Sequence, residues 1–162
     1  MTAMAPRRSE PDVSYLLDHT GHVLRTRMSA ALAEIGLTPR MHCVLVHAVG
    51  QEHTQAQLAE MGDMDKTTMV VTVDALEAAG LAERRPSGTD RRARVVTVTE
   101  EGARAAERSS RVVDRVHREA LDALPEDERR TLLRALERLA GGHLAVPAES
   151  PRPVRRARQR KR

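Results

Sequence analysis

Gly80-Leu81-Ala82-Glu83-Arg84-Arg85-Pro86-Ser87-Gly88-Thr89-Asp90-Arg91-Arg92-Ala93-Arg94-Val95-Val96-Thr97-Val98-Thr99 is the stretch in which the period of this 162-residue chain changes from helical to extended. Leu81 to Arg85 reads as a strand leaving Gly80, Pro86 to Asp90 is turn chemistry, and Arg94 to Thr99 is β-branched and strand-like. The result is a hairpin whose tip carries Arg91, Arg92 and Arg94. A narrow, positively charged finger of that kind has the shape and charge to enter the minor groove of DNA. Asp90 among the arginines can hold one of them in a single fork geometry, reducing the entropy lost on insertion.

Upstream lie two short helical patterns. Thr54-Gln55-Ala56-Gln57 is a capping box that opens a helix through Leu58 and Met61, which stops at Gly62-Asp63. A second helix begins near Asp65 and runs through Met69, Val73 and Leu76 to Gly80. Two short helices joined by a glycine-containing turn form a helix-turn-helix, and a hairpin directly after one is a wing. The second helix offers Lys66, Thr67, Thr68 and Thr72 to phosphates, base edges or thymine methyls. Val70 and Val71 read equally well as core and as apolar groove contacts. Thr54 and Gln55 are candidate phosphate contacts, and Arg84 and Ser87 are candidate contacts on the wing.

Further out, Val13, Leu16, Leu17, Val23, Leu24, Met28, Ala31, Leu32 and Ile35 trace one helical stripe that ends at Gly36. Thr38 as N-cap and Pro39 at the first helical position start the next helix, with Met41, Val44, Leu45 and Ala48 inward and Gly50 after it. Thr99 can cap a long helix through Val112, Val113, Val116, Ala120, Leu121 and Leu124. Pro125-Glu126-Asp127-Glu128 places acids at the positive end of a last one, with Leu132, Leu133, Leu136 and Leu139 inward.

The expected fold is mainly α with a small β-wing: a winged helix-turn-helix (38–99) with N- and C-terminal dimerisation helices (13–35 and 100–142). Residues 13–142 then form one domain, between a disordered N-terminus (1–12) and a disordered basic tail (143–162). The outer stripes are too apolar for so small a winged domain to cover, so a two-fold homodimer is expected.

The order of elements resembles the MarR (multiple antibiotic resistance regulator) family. The resemblance rests on Gly80-Leu81-Ala82-Glu83-Arg84, on Asp90-Arg91-Arg92 through Thr99-Glu100-Glu101-Gly102 with Val98 at the usual Leu place, and on Gly36-Leu37-Thr38-Pro39. It covers residues 13 to 140. It implies a dimeric regulator, a repressor by default, that binds a palindromic operator in double-stranded DNA, with Asp90 orienting and Arg92 inserting. Many family members carry a polar or basic residue where Val70 and Val71 stand.

Composition fits that frame. Apolar residues make up 40% of the chain with no Phe, no Trp and one tyrosine, Tyr15, so the core is aliphatic. The seven basic residues from Arg152 onward leave 20 basic against 23 acidic groups in the rest, so the net charge of +4 belongs to the tail. A lone cysteine, Cys43, excludes an intrachain disulfide. No signal-peptide core and no run of about 18 apolar residues is present, which points to a cytoplasmic protein with no membrane contact. With no Gly-rich phosphate loop, no GxSxG and no metal-ligand set, an enzyme is not expected and no cofactor is implied.

Relatives in this family hold a small effector between the dimerisation helices and the winged domain. The polar candidates here are Tyr15, Asp18, His19, His22 and Arg27 on the first helix and His42 on the second. Helical projection leaves His19 and His22 at the margin of the apolar stripe and puts Arg27 inside it, where an arginine needs an anionic partner. Imidazoles with an arginine suit a small acidic or phenolic effector. Two alternatives keep the same fold, a zinc- or redox-responsive regulator using the histidines or Cys43 and an effector-independent architectural DNA-binding protein.

Overall fold

Most helices of the chain begin where the sequence offers an acceptor to free N–H groups. The computed structural model describes residues 11–88 and 93–146. In α1 (Val13–Ala33) Asp12 accepts from the Tyr15 amide at 3.1 Å, and in α2 (Pro39–Ala48) Thr38 accepts from Met41 at 3.2 Å. In α3 (Gln55–Met61) the Thr54–Gln57 capping box is formed in both directions. In α4 (Lys66–Ala78) Asp65 accepts from the Thr68 amide at 2.9 Å. The Thr99 hydroxyl accepts from Gly102 at 3.0 Å at the start of α5 (Glu100–Leu121) and donates to the Gly80 carbonyl at 2.8 Å. The last helix, α6 (Glu126–Ala140), has no side-chain cap and instead carries Glu126, Asp127 and Glu128 in its first turn.

The helix-turn-helix is α3 and α4, and Gly80 (φ +70°) reverses the chain into the wing. The wing strands β2 (Ala82–Pro86) and β3 (Arg94–Val98) pair antiparallel from Ala82 opposite Val98 to Pro86 opposite Arg94. Pro86, expected in the turn, is therefore the last residue of an edge strand, a place where a missing N–H costs little. A third strand was not foreseen. His53–Thr54 pairs with Val96 and Val95 as a two-residue strand, β1, giving the order β1-β3-β2. Two residues carry no readable period, and the pairing depends on a partner more than forty residues away.

The chain divides into two units, Met1–Ala120 and Leu121–Arg162. The core of the first is aliphatic, with Leu32, Leu45, Val73, Leu76 and Val96 fully buried. Helix α5 joins it through small residues, Gly102, Ala105, Ala106 and Ser109. Gly102 is required: a Cβ there would collide with the Leu81 carbonyl oxygen and lie 2.7 Å from Val98 Cγ1. In α1 Leu32 alone is buried, and Val13, Leu16 and Leu17 are exposed. In the second unit α6 buries no residue at all. Backbone bonds from Leu144 to Leu139 and from Ala145 to Gly142 continue its terminal turn past residue 142. The expectations for residues 1–10 and for the tail from 147 onward lie outside the described residues, as does the hairpin tip 89–92.

Candidate nucleic-acid interface

Helix α4 has two faces of opposite character. Met69, Thr72, Val73 and Leu76 are buried in the core, while Lys66, Thr67, Val70 and Val71 are exposed. Val70 at 46% and Val71 at 62% exposure are thus not core residues of this chain. Asp65 holds both the amide and the hydroxyl of Thr68, at 2.9 and 2.7 Å, and the hydroxyl bond holds its carboxyl below the usual range. This cap fixes the exposed N-terminal turn, from which Lys66 and Thr67 stand out into solvent.

Other expected contacts are turned inward. Thr72 is buried and its hydroxyl donates to the Thr68 carbonyl at 2.7 Å, the back-bond a helical threonine makes when it does not face solvent. Ser87 is also buried and donates to Glu52, which receives the Gly88 amide as well, each at 3.3 Å. Glu52, which sequence reasoning missed and which directly precedes β1, thereby ties that segment to the turn end of β2. The Thr54 hydroxyl is engaged with Gln57. Gln55 accepts from Arg84 Nε at 3.1 Å, and its amide nitrogen is buried without a partner among the described residues.

Arg84 departs furthest from expectation. Its side chain is only 17% exposed. Its backbone N–H donates to Glu77 Oε1 at 2.7 Å and its Nη1 to Glu77 Oε2. Its Nη2 reaches Asp74 at 2.6 Å and the Val70 carbonyl at 3.4 Å. Arg94, opposite Pro86, is exposed, and so is Arg85, which pairs with Glu83. Asp90, Arg91 and Arg92 lie outside the described residues.

The effector candidates divide between two helices. Tyr15, Asp18, His19 and His22 follow at i, i+3, i+4 and i+7 and share one exposed face of α1. Tyr15 and His19 stack there with ring centroids 5.5 Å apart. Arg27, also exposed, falls off that face. His42 is half-buried on α2, with Nδ1 2.8 Å from Oγ of the fully buried Ser109 on α5. Burial, reinforced by His117 and His47 and opposed by Asp114, lowers its pKa from 6.5.

Cys43 sits beside a cleft of about 280 Å³ lined by Arg40, Met64, Asp65 and Thr68 among others. Burial pushes its thiol up, away from the thiolate that redox chemistry needs. Among the described residues no group of three or more His, Cys, Asp or Glu side chains is placed to hold a metal ion. No described helix is long and apolar enough to cross a membrane.

Known proteins share this arrangement. The sequence profile described as MarR family matches residues 35–93. The HTH-type transcriptional repressor Rv2887 of Mycobacterium tuberculosis is 32% identical over 128 residues, 78% of this chain and 92% of that protein. The crystal structure of CouR from Rhodococcus jostii RHA1 bound to p-coumaroyl-CoA is similar with a TM-score of 0.71 and 30% identity, over 80% of this chain and 92% of that one. CouR bound to a 23-mer DNA duplex gives a TM-score of 0.71 at 27% identity, with the same coverage, 80% and 92%. Rv2887 in complex with p-aminosalicylic acid gives 0.66 at 30% identity, over 80% of this chain and 99% of that one.

Proposed function

The chain belongs to the MarR family, and on that premise we propose that it is a sequence-specific DNA-binding transcriptional repressor that a small effector releases from its operator. The observation that carries this reading is the exposed N-terminal face of α4. Lys66 and Thr67 stand ready for phosphates, and Val70 and Val71 present apolar surface suited to thymine methyls. Exposed valines on a helix that otherwise buries its apolar residues have a use in a major groove and none in the isolated chain. Arg94 and the wing arginines Arg91 and Arg92 supply the minor-groove contact. That CouR, similar in structure, is bound to a 23-mer DNA duplex supports double-stranded DNA as the partner.

A homodimer completes the reading. Val13, Leu16 and Leu17 of α1 and the leucines of α6 are exposed in the single chain, and a second copy related by two-fold symmetry would cover them. Two half-sites about one helical turn of DNA apart follow from that symmetry. The effector is a small organic acid or its thioester, gripped from the Tyr15–His22 face of α1 and from His42. The CouR and Rv2887 ligands, p-coumaroyl-CoA and p-aminosalicylic acid, are of this class.

The test is a binding titration with the full chain. Affinity for a duplex enriched from a random pool should exceed affinity for a scrambled duplex by about 10³ or more at physiological salt. Arg92→Ala should weaken binding to the enriched duplex by about 1–3 kcal/mol without changing thermal stability. An enriched duplex bound no better than the scrambled one would leave an architectural protein in place of a repressor.

A further inference from the structure

We propose that Arg84 is not a DNA contact but the positioning residue that locks recognition helix α4 and the wing into one rigid reading unit. An arginine has five side-chain N–H donors. Four are already used, by Gln55, Glu77, Asp74 and the Val70 carbonyl, so no fork remains for a phosphate.

The placement of those acceptors matters more than their number. Val70, Asp74 and Glu77 follow at i, i+4 and i+7, so they line one face of α4 over two turns. A grip at one point would fix the distance between helix and strand and leave the helix free to roll about its axis. A grip over two turns fixes the roll as well. Gln55 adds the start of α3, and the Arg84 amide, bonded to the same Glu77, adds the backbone of β2.

Roll decides which side chains of α4 face base edges, and the wing leaves the same strand two residues later. One guanidinium therefore sets the angle between the major-groove reader and the minor-groove finger. A lysine keeps the charge but presents no planar fork and cannot hold both carboxylates in fixed geometry.

The inference rests on the DNA-binding reading above, and its test separates the two. Full-length wild type, Arg84→Lys and Glu77→Gln are titrated against a duplex enriched by the wild type and against a scrambled duplex, over a range of salt, with thermal unfolding followed in parallel. Arg84→Lys is expected to lower affinity for the enriched duplex about tenfold, the cost of one mismatched base pair. Its affinity for scrambled DNA and its salt slope are expected to stay unchanged. Glu77→Gln, which leaves the arginine in place, is expected to lower the same ratio. Combining Arg84→Lys with Asp74→Asn should cost less than the sum of the two.

Equal loss on both duplexes with a salt slope reduced by about 0.9 would mean a phosphate contact and would overturn the proposal. A lower melting temperature with an unchanged ratio would reduce Arg84 to a fold-stabilising residue and would overturn it too. A wild-type chain that enriches no duplex would instead overturn the DNA-binding reading and this inference with it.

Discussion

Helices α4 and α6 both expose apolar side chains, in different settings. On α4 the exposed pair is Val70 and Val71, small and β-branched, set among Lys66, Thr67 and Asp74 on a helix whose other side is firmly in the core. On α6 the exposed residues are Leu132, Leu133, Leu136 and Leu139, each about 40% exposed, on a helix that buries nothing. A pair of short side chains ringed by polar groups matches a surface that is mostly charged and only locally apolar, as a base-pair edge with a thymine methyl is. A leucine ladder at three- and four-residue steps matches another helix, whose grooves accept such ridges. Under the proposed function these two apolar surfaces have different partners, and the size and spacing of the side chains are what distinguish them.

The comparison is easiest to break at α6. Leu133→Asp with Leu136→Asp puts two charges where a second copy would bury them, and self-association should weaken by about 3 kcal/mol or more. Sedimentation would then report a monomer at concentrations where the wild type is a dimer. A dimer that survives would show that the ladder serves something else.

On α4 the sharpest contrast is between two identical residues. Val73→Ala empties a fully buried site and should cost about 2 kcal/mol of stability. Val71→Ala should cost less than about 0.5 kcal/mol of stability, because its side chain touches little, yet lower operator affinity by about 1 kcal/mol. Chemical denaturation and a DNA titration on both variants check this. Similar profiles for the two would erase the distinction between the faces of α4.

Smaller effects follow from caps and protons. Gln57→Ala removes one half of the α3 capping box and should cost about 0.5–1 kcal/mol. His42 is held neutral, so its folded pKa lies below the 6.5 of the unfolded chain. Its contribution to stability is complete above that value and is lost as pH falls below 6.5, where the unfolded chain takes up the proton first. His42→Gln keeps a partner for Ser109 and should flatten the melting temperature across that window. An unchanged pH profile would show that the imidazole is already solvated.

Local chemistry was readable in the sequence. Thr38-Pro39, the Thr54–Gln57 box, Asp65 and Thr99 announce their helices because a cap is settled by residues three apart. The wing was readable because its period is 2 over enough residues to count. What escaped depends mostly on partners distant in the chain. Strand β1 exists only because Val95 and Val96 lie beside it. Arg84 looks like any wing arginine until the turn at Gly80 folds it back onto Asp74 and Glu77. Ser87 finds its acceptor, Glu52, thirty-five residues away. Thr72 bonds only to the Thr68 carbonyl one turn back, and what turned it inward is the way α4 packs on the core.

Gly102 has a mechanical consequence. With no side chain, and with the Leu81 carbonyl and Val98 against it, the joint between α5 and the start of the wing has no clearance. Packed protein is nearly incompressible and passes displacement on. A tilt of α5 at this point therefore cannot be taken up as slack. It would be passed to Leu81, the residue between α4 and β2, so the first turn of α5 and the start of the wing move as one piece.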